Sequence, residues 1–122
     1  MQIGVPKEIK VHEYRVGMIP ASVREAVHHG HRVMIETGAG AGVGFEDDAY
    51  LAAGAEIGAD AAAVFAWADM VVKVKEPQSA ELSMLREDQV LFTYLHLAAE
   101  PDQTKALVAS GCIAIAYETV PD

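Results

Sequence analysis

Residues 70–77 read Met70-Val71-Val72-Lys73-Val74-Lys75-Glu76-Pro77, and they give the strongest indication of how the chain folds. The stretch predicts a strand over Met70–Lys75, because it is mostly apolar and β-branched and because Pro77 cannot donate a hydrogen bond to a sheet. Side chains alternate between the two faces of a strand, so Lys73 and Lys75 are expected on the same face. Two lysines at the end of an apolar strand indicate an ammonium group beside a cleft.

A second strand is predicted at residues 90–94, and the chain that leaves it reaches His96. Like Lys75, His96 directly follows an apolar run, and its charge changes near neutral pH. If the two strands are neighbours, their ends lie about 5 Å apart, close enough for Lys75 and His96 to bind one small molecule. Tyr94 shares a face with His96 and either lines the same pocket or belongs to the core.

Strands and helices alternate along the rest of the chain. Apolar runs predict strands, and apolar residues at helical spacing between a Pro or Asp start and a Gly stop predict helices. This alternation is typical of an α/β fold with a parallel sheet and helices on both faces, Rossmann-like or flavodoxin-like. The predicted strands are 2–5, 32–35, 70–75, 90–94 and 112–116, with a minor extended piece at 55–57; the predicted helices are 20–30, 47–53, 61–68, 79–86 and 101–110.

Ligands of such sheets bind outside the carboxyl ends of the strands, where Lys75 and His96 are expected. A lysine polarises a carbonyl group and a histidine exchanges a proton, while the planar guanidinium of Arg15 suits a carboxylate. A carboxylate, a carbonyl and a transferable proton together describe a 2-oxo acid. Each residue also has an ordinary explanation, Lys75 as a solvated strand-end lysine and His96 as a helix-cap or loop histidine.

The composition argues against several classes of protein. A chain of 122 residues has the length of one domain, and its 52% apolar content is typical of a folded one. The net charge of −9 argues against nucleic acid or an anionic membrane as a partner. No transmembrane segment or signal peptide is visible in the sequence, so a cytoplasmic protein is expected. No metal site is predicted, because Cys112 is the single cysteine and the histidines at 28, 29 and 31 are interpreted as surface groups.

Residues 38–44 are rich in glycine, Gly38-Ala39-Gly40-Ala41-Gly42-Val43-Gly44, without matching a nucleotide motif. A dinucleotide fingerprint needs glycine where Val43 or Phe45 stands, and no Lys-Ser/Thr pair of a P-loop follows. Asp47 and Asp48 would also repel a phosphate. The run therefore predicts a tight-turn or flexible loop, and no cofactor-binding residue is predicted in the chain.

Several motifs resemble the alanine dehydrogenase and pyridine nucleotide transhydrogenase family, in order and over nearly the whole chain. They are Gly4-Val5-Pro6-Lys7-Glu8, Glu13-Tyr14-Arg15-Val16, Glu36-Thr37-Gly38-Ala39-Gly40, Val72-Lys73-Val74-Lys75-Glu76-Pro77, Phe92-Thr93-Tyr94-Leu95-His96-Leu97-Ala98 and Ala116-Tyr117-Glu118-Thr119-Val120. Transhydrogenase members do not carry the lysine and histidine that stand here as Lys75 and His96. The resemblance therefore favours the alanine dehydrogenase branch.

The resemblance implies interconversion of L-alanine and pyruvate plus ammonia with NAD, in a homo-oligomer that is typically a homohexamer. It implies that Arg15 and Lys75 hold the carboxylate and carbonyl side of the substrate and that His96 is the acid–base group. Family members are much longer and bind NAD in a domain beyond the end of this chain, so residues 1–122 are expected to form a single substrate-binding and catalytic domain that is inactive alone. Two alternatives remain: the N-terminal piece of a transhydrogenase alpha subunit, and a non-catalytic binding domain of the same fold.

Overall fold

The computed structural model describes residues 1–93 and 110–116. Its strands are β1 (Gln2–Val5), β2 (Arg32–Glu36), β3 (Glu56–Gly58), β4 (Met70–Val72), β5 (Val90–Thr93) and β6 (Ile113–Ala116). Its helices are α1 (Pro20–His28), α2 (Asp47–Ala52), α3 (Ala61–Trp67) and α4 (Ser79–Leu82), with a 3-10 turn at Ala41–Val43. The six strands form one parallel sheet in the order β3-β2-β1-β4-β5-β6.

Alternation along the strands gives the sheet two apolar faces. On one face, Ile3 and Val5 of β1 pack with Ile35 of β2. Helices α1 and α2 cover this face, where Val23 and Tyr50 are fully buried. Burial of these side chains removes most of the apolar surface of β1 and β2 from water, which is the main source of stability here.

The opposite face is covered by the other two helices. Val71 of β4 and Leu91 of β5 pack there with Phe65 of α3, Ala68 just after α3, and Leu85 just after α4. Helices therefore lie on both faces of a parallel sheet, and the predicted α/β class is confirmed.

Two helices begin and end where the sequence signals lie. Pro20 is the first residue of α1, and Gly30 just beyond it has a left-handed backbone with φ of 90°. Asp60 precedes α3, and its carboxylate accepts a hydrogen bond from the backbone N–H of Ala63 at 2.8 Å. Within the described ranges, the chain has no helix long and apolar enough to cross a membrane.

The predicted end of β4 is wrong. The strand stops at Val72 and does not continue to Lys75. The backbone N–H of Lys73 still donates to the carbonyl of Phe92 on β5 at 3.0 Å, but the next two amides donate to the carboxylate of Glu8. The chain therefore leaves the sheet after the ladder bond of Lys73, and strand alternation does not extend to Lys75.

The helix boundaries also differ from the sequence pattern in two places. Helix α4 ends at Leu82, because the chain then tightens into turns in which the N–H of Met84 donates to the carbonyl of Glu81. The carboxylate of Asp47 does not cap α2 but binds the preceding loop. The predicted helix at 101–110 lies almost wholly outside the described residues.

The strand order creates a crevice at one edge of the sheet. The chain runs from β1 outward to β3 and then returns to β4 on the other side of β1. The segments that follow β1 and β4, residues 6–19 and 73–78, therefore leave from neighbouring strands toward opposite sides. Ligands of open α/β sheets bind in a crevice of this kind, outside the carboxyl ends of the strands.

Tyr50 provides a test of the packing between α2 and the loop before α1. Its hydroxyl donates to the carbonyl of Met18 at 2.8 Å, and burial raises the pKa of Tyr50 to about 12. We expect Tyr50→Phe to lower the free energy of unfolding at neutral pH by about 1 kcal/mol, because the buried carbonyl loses its donor.

The same substitution changes the response to alkali. The native protein holds the Tyr50 proton more tightly than the unfolded chain does, so this stabilisation is complete below the ordinary pKa of 10.0 and is lost as the pH rises toward about 12. Urea denaturation from neutral to alkaline pH should show a steeper loss in the parent than in Tyr50→Phe. The exposed Tyr14→Phe is the control; an equal alkaline slope in the parent and Tyr50→Phe would contradict the expectation.

Candidate functional site

Two close approaches fix the loop after β1 at the crevice. A Cβ atom at Gly17 would lie 2.5 Å from the carbonyl oxygen of Val72 at the end of β4. A Cβ atom at Gly42, in the glycine-rich loop, would lie 2.9 Å from the carbonyl oxygen of Tyr14. Any side chain at either position would move the backbone. Residues 6–19 are therefore held between β4 and the glycine-rich loop.

A buried ion cluster lies where the segments after β1 and β4 meet. The ammonium Nζ of Lys73 is 3.0 Å from Oε1 of Glu8 and 2.9 Å from Oε2 of Glu81. All three side chains are only 1–2% exposed. A buried ammonium requires carboxylate partners, because transfer of an unpaired charge out of water costs several kcal/mol. Lys73 therefore joins the loop after β1 to α4 through the interior.

Opposing influences act on the protonation of Glu81. Burial raises the pKa of Glu81, while the nearby charge of Lys73 and a hydrogen bond from the backbone N–H of Gln78 at 2.9 Å act in the opposite direction. The hydrogen bond from Gln78 also makes Glu81 part of the capping box of α4. The short helix is thus placed by the same carboxylate that faces Lys73.

Glu8 also contacts the backbone that carries Lys75. Its two carboxylate oxygens accept hydrogen bonds from the N–H of Val74 at 3.1 Å and of Lys75 at 3.2 Å. On the other side, the hydroxyl of Thr93 at the end of β5 donates to the carbonyl of Lys75 at 2.6 Å. The backbone of Lys75 is therefore held on one side by Glu8, which follows β1, and on the other by Thr93, which ends β5.

Glu13 and Arg15 form a fork at the surface of the loop after β1. Oε2 of Glu13 accepts from the backbone N–H of Arg15 at 2.9 Å and from its Nε at 3.0 Å, and Oε1 accepts from Nη2 at 2.9 Å. The Arg15 side chain is 64% exposed, whereas the Glu13 side chain is 6% exposed. These hydrogen bonds, with smaller contributions from the charges of Arg15 and Lys75, hold the pKa of Glu13 below its ordinary value.

The fork borders a cleft of about 330 Å³ between the loop after β1 and the glycine-rich loop. Such a volume accommodates a small organic acid with room for water. Four residues that carry or can gain positive charge border it, together with two acidic residues; these residues are Lys7, Lys10, His12 and Arg15, and Glu8 and Glu13. The cleft can therefore receive an anionic group.

Two of the predicted site residues lie near Glu13 at this edge. Arg15 lies on the cleft, and Lys75 lies near enough to Glu13 for its charge to affect that carboxylate. The predicted neighbourhood of the two strands is confirmed, since β4 and β5 are paired. Tyr94 and His96 lie outside the described residues, and their positions stay predictions.

The sequence reasoning missed the buried cluster. Lys73 was expected beside Lys75 at a cleft, but it is buried between Glu8 and Glu81. One signal was available: Lys73 follows Val71 at strand spacing and therefore continues the buried face of a central strand, where a lysine needs an acidic partner. The identity of that partner could not be read from the chain, because Glu8 lies 65 residues away.

The glycine-rich loop has its own internal ligand. Oδ1 of Asp47 accepts from the N–H of Gly38 at 2.9 Å, and Oδ2 accepts from the hydroxyl of Thr37 at 2.6 Å; both hydrogen bonds lower the pKa of Asp47. The carboxylate of Asp47 therefore already binds the N–H of Gly38, which a phosphate in this loop would need as a donor. Residues 1–93 and 110–116 also contain no group of three or more His, Cys, Asp or Glu side chains placed to hold a metal ion.

The Glu13–Arg15 fork predicts how Glu13 titrates. In Arg15→Ala we expect the pKa of Glu13 to rise toward its ordinary value, because its three hydrogen-bond donors become one. Since the folded state depresses this pKa, the fork stabilises the protein above the ordinary pKa of Glu13, and the stabilisation is lost as the pH falls through the folded value.

Carbon-13 NMR of the Glu13 carboxyl group through an acid titration measures this change. Arg32→Ala is the matched control, because Arg32 makes a similar fork to Glu56, with a shortest contact of 2.8 Å. A pKa of Glu13 that is the same in Arg15→Ala as in the parent would show that the fork does not form in solution.

The sequence of this chain is similar to known proteins over nearly its whole length. The family model for the alanine dehydrogenase/PNT N-terminal domain matches residues 4–122. Alanine dehydrogenase of Bacillus subtilis is 57% identical over 122 residues, which are 100% of this chain and 32% of that protein. Alanine dehydrogenase of Methanococcus maripaludis is 56% identical over 120 residues, 98% of this chain and 32% of that protein. The chain thus spans about a third of the length of the curated relatives it matches.

Solved structures agree with this assignment. An L-alanine dehydrogenase superimposes with a TM-score of 0.95 at 55% identity, covering 98% of this chain and 33% of that one. A transhydrogenase from Sinorhizobium meliloti superimposes with a TM-score of 0.92 at 30% identity, covering 99% of this chain and 36% of that one. The chain therefore belongs to the alanine dehydrogenase/PNT family, and residues 4–122 match the N-terminal domain of that family.

Proposed function

We propose that this chain is the substrate-binding domain of an NAD-dependent L-alanine dehydrogenase, which converts L-alanine, NAD and water into pyruvate, ammonia and NADH. The observation that carries the proposal is that Arg15 lines the cleft beside the loop after β1 and that Lys75 lies near enough to Glu13, the partner of Arg15, for its charge to lower the pKa of that carboxylate, in a chain 57% identical to alanine dehydrogenase of Bacillus subtilis. A guanidinium and an ammonium near each other suit a small molecule that has a carboxylate beside a carbonyl or amino group.

Arg15 is proposed to bind the substrate carboxylate. Its guanidinium borders the cleft, and Glu13 binds its Nε and one Nη atom, which sets the plane of the group. A guanidinium fixed in this way loses less conformational entropy when a carboxylate binds. Glu13 therefore acts as a support for Arg15.

Lys75 is proposed to bind the carboxylate and carbonyl side of the substrate, with its ammonium donating to the carbonyl oxygen of pyruvate. An ammonium near a carbonyl oxygen stabilises the negative charge that develops there as the carbon is attacked. The hydrogen bonds of its peptide to Glu8 and Thr93 support this role, because they define where the side chain begins.

His96 is proposed to donate and accept the proton at the reacting carbon's oxygen or nitrogen, and Tyr94 to line the substrate pocket. The support comes from β4 and β5, which are paired and parallel, so Val72 and Thr93 end these strands at the same edge of the sheet, shortly before Lys75 and His96 in the sequence. A histidine near its ordinary pKa of about 6.5 can act as both acid and base at neutral pH.

The glycine-rich loop and the start of α2 do not suit the pyrophosphate of NAD. The N–H of Gly38 binds Asp47, and α2 begins with Asp47 and Asp48, whose charges oppose a pyrophosphate. We therefore assign the dinucleotide to a part of the enzyme outside this chain. The proposal for residues 1–122 concerns the binding of substrate and the transfer of its proton.

A transhydrogenase domain is the second candidate, favoured by the TM-score of 0.92 to the Sinorhizobium meliloti protein. Its identity of 30% is lower than the 55% to the L-alanine dehydrogenase structure. Lys75 and His96 also favour the dehydrogenase, because they supply groups for a 2-oxo acid that a module handling only nucleotide does not need.

We also propose that the enzyme is cytoplasmic and that it forms a homo-oligomer, namely a homohexamer. The oligomer has support in the structure. Its support is the apolar surface of the loop after β1, where Ile9, Val11 and Tyr14 are exposed and Val11 reaches 80%. Exposed apolar side chains grouped on one loop are typical of a surface that another chain or domain covers.

Pyruvate binding to the isolated chain tests the substrate site. We expect NMR shifts of backbone amides near Arg15, Lys75 and His96 when pyruvate is added. Lys75→Ala should weaken the affinity by about 1.5–3 kcal/mol, because a charge-assisted hydrogen bond is lost. Arg24→Ala, an exposed cation on α1, is the control and should bind like the parent. Equal affinities of Lys75→Ala and the parent would refute the role of Lys75.

Activity is tested in a chimera, in which this chain replaces the matching third of Bacillus subtilis alanine dehydrogenase. The isolated chain should form no NADH from L-alanine and NAD, whereas the chimera should be active. His96→Asn in the chimera should lower kcat by about a hundredfold to ten-thousandfold through loss of the acid–base group. The exposed His28→Asn at the end of α1 is the control. Activity of the isolated chain, or full activity of His96→Asn, would contradict the proposal.

A further inference from the structure

The buried carboxylate of Glu8 binds three donors at the end of β4. Its Oε1 accepts from Nζ of Lys73 at 3.0 Å and from the N–H of Lys75 at 3.2 Å, and its Oε2 accepts from the N–H of Val74 at 3.1 Å. The side chain is 2% exposed, so water does not compete with these contacts. The carboxylate of Glu8 therefore binds the Lys73 ammonium and the two backbone amides that follow it in the chain.

The amides of Val74 and Lys75 lie just beyond the last backbone hydrogen bond of this segment to the sheet. Lys73 makes the last ladder bond of this segment, from its N–H to the carbonyl of Phe92. On the other side β1 has already ended at Val5, and the residue after it is Pro6. Glu8 follows shortly after, and its side-chain oxygens accept from these two amides beyond the end of the ladder.

Lys73 provides the counter-charge that allows a carboxylate at this depth. Glu8 and Lys73 form a direct ion pair in the interior, and Glu81 binds the ammonium from the other side. The hydroxyl of Thr93 then holds the carbonyl of Lys75. The N–H and the carbonyl of Lys75 are both bound, and its side chain starts from a fixed point.

We propose that Glu8 is the positioning residue for Lys75: its buried carboxylate, paired with Lys73, binds the amides of Val74 and Lys75 and so sets the direction in which the Lys75 ammonium reaches the substrate. The inference rests on the proposed role of Lys75 in binding the oxo acid. Glu8 does not itself contact the substrate in this proposal, and it acts only through Lys75.

Glu81 is the matched control for Glu8. Both carboxylates are buried and both pair with Lys73, but only Glu8 binds the amides of Val74 and Lys75. Glu8→Gln keeps the size of the side chain and leaves one acceptor oxygen for three donors. Glu81→Gln makes the same change to the charge around Lys73 and leaves those amides bound. A role limited to stability would make the two variants alike.

The first measurement is amide hydrogen exchange in the isolated chain, which does not depend on substrate. Exchange at Val74 and Lys75 should be faster in Glu8→Gln than in Glu81→Gln, relative to the exchange of the strand amides in each variant. Equal exchange at these two amides in the two variants would overturn the inference.

The second measurement is a double-mutant cycle on kcat/KM for pyruvate in the chimera. Glu8→Gln should lower kcat/KM by roughly threefold to tenfold, the effect of about one lost hydrogen bond. In the Lys75→Ala background the same change should have less than about a twofold effect, because the group it positions is gone. Glu81→Gln should stay within about twofold of its parent in both backgrounds. Equal effects of Glu8→Gln in the two backgrounds would overturn the positioning role.

The two proposals fail separately in this design. If Lys75→Ala leaves kcat/KM unchanged, the proposed role of Lys75 is wrong, and the positioning of a substrate-binding group by Glu8 is wrong with it. If Lys75→Ala lowers kcat/KM and Glu8→Gln is additive with it, only the positioning role is wrong. Should Glu8→Gln fail to fold, the cycle is run with Glu8→Gln/Lys73→Met, which also removes the ammonium that has lost a buried partner.

Discussion

The ion pair between Glu8 and Lys73 connects the two halves of the sheet at the point where the strand order reverses. The segments after β1 and β4 diverge there, and divergent segments have few backbone partners of their own. A buried ammonium between Glu8 and Glu81 joins them, since removal of one partner of such a cluster typically costs about 3–5 kcal/mol. The two segments that border the crevice are thus held together by a buried ion cluster beneath them.

The same principle recurs closer to the surface. Glu8 binds a lysine and two backbone amides, and Glu13 binds the guanidinium and the backbone amide of Arg15. In both cases a carboxylate organises a loop and a cationic side chain together. The loops at this edge therefore have defined positions without regular secondary structure, which is what a binding site on loops requires.

The sequence predicted the fold because the relevant signals are local. Pro20, Gly30 and Asp60 mark helix ends by their own chemistry, and the strand runs are apolar and β-branched. The site was predicted only in part. The end of β4 depends on Glu8, which is distant along the chain, and the burial of Lys73 depends on the same contact. Arg15 and Lys75 stay predicted site residues, chosen because a guanidinium and an ammonium have recognisable binding chemistry whatever the fold around them.

Stability alone does not explain why this interior is charged. Replacement of a buried ion cluster by apolar residues of similar volume is often neutral or stabilising, so Glu8, Lys73 and Glu81 are not needed as charges merely to fill space. Apolar side chains cannot, however, accept hydrogen bonds from the amides of Val74 and Lys75. The oxygens of Glu8 are needed for that, and Lys73 balances the charge they bring. The fold is shared with a transhydrogenase at a TM-score of 0.92, so the fold alone does not set the function. What the cluster adds at this edge is a fixed position for the backbone of Lys75.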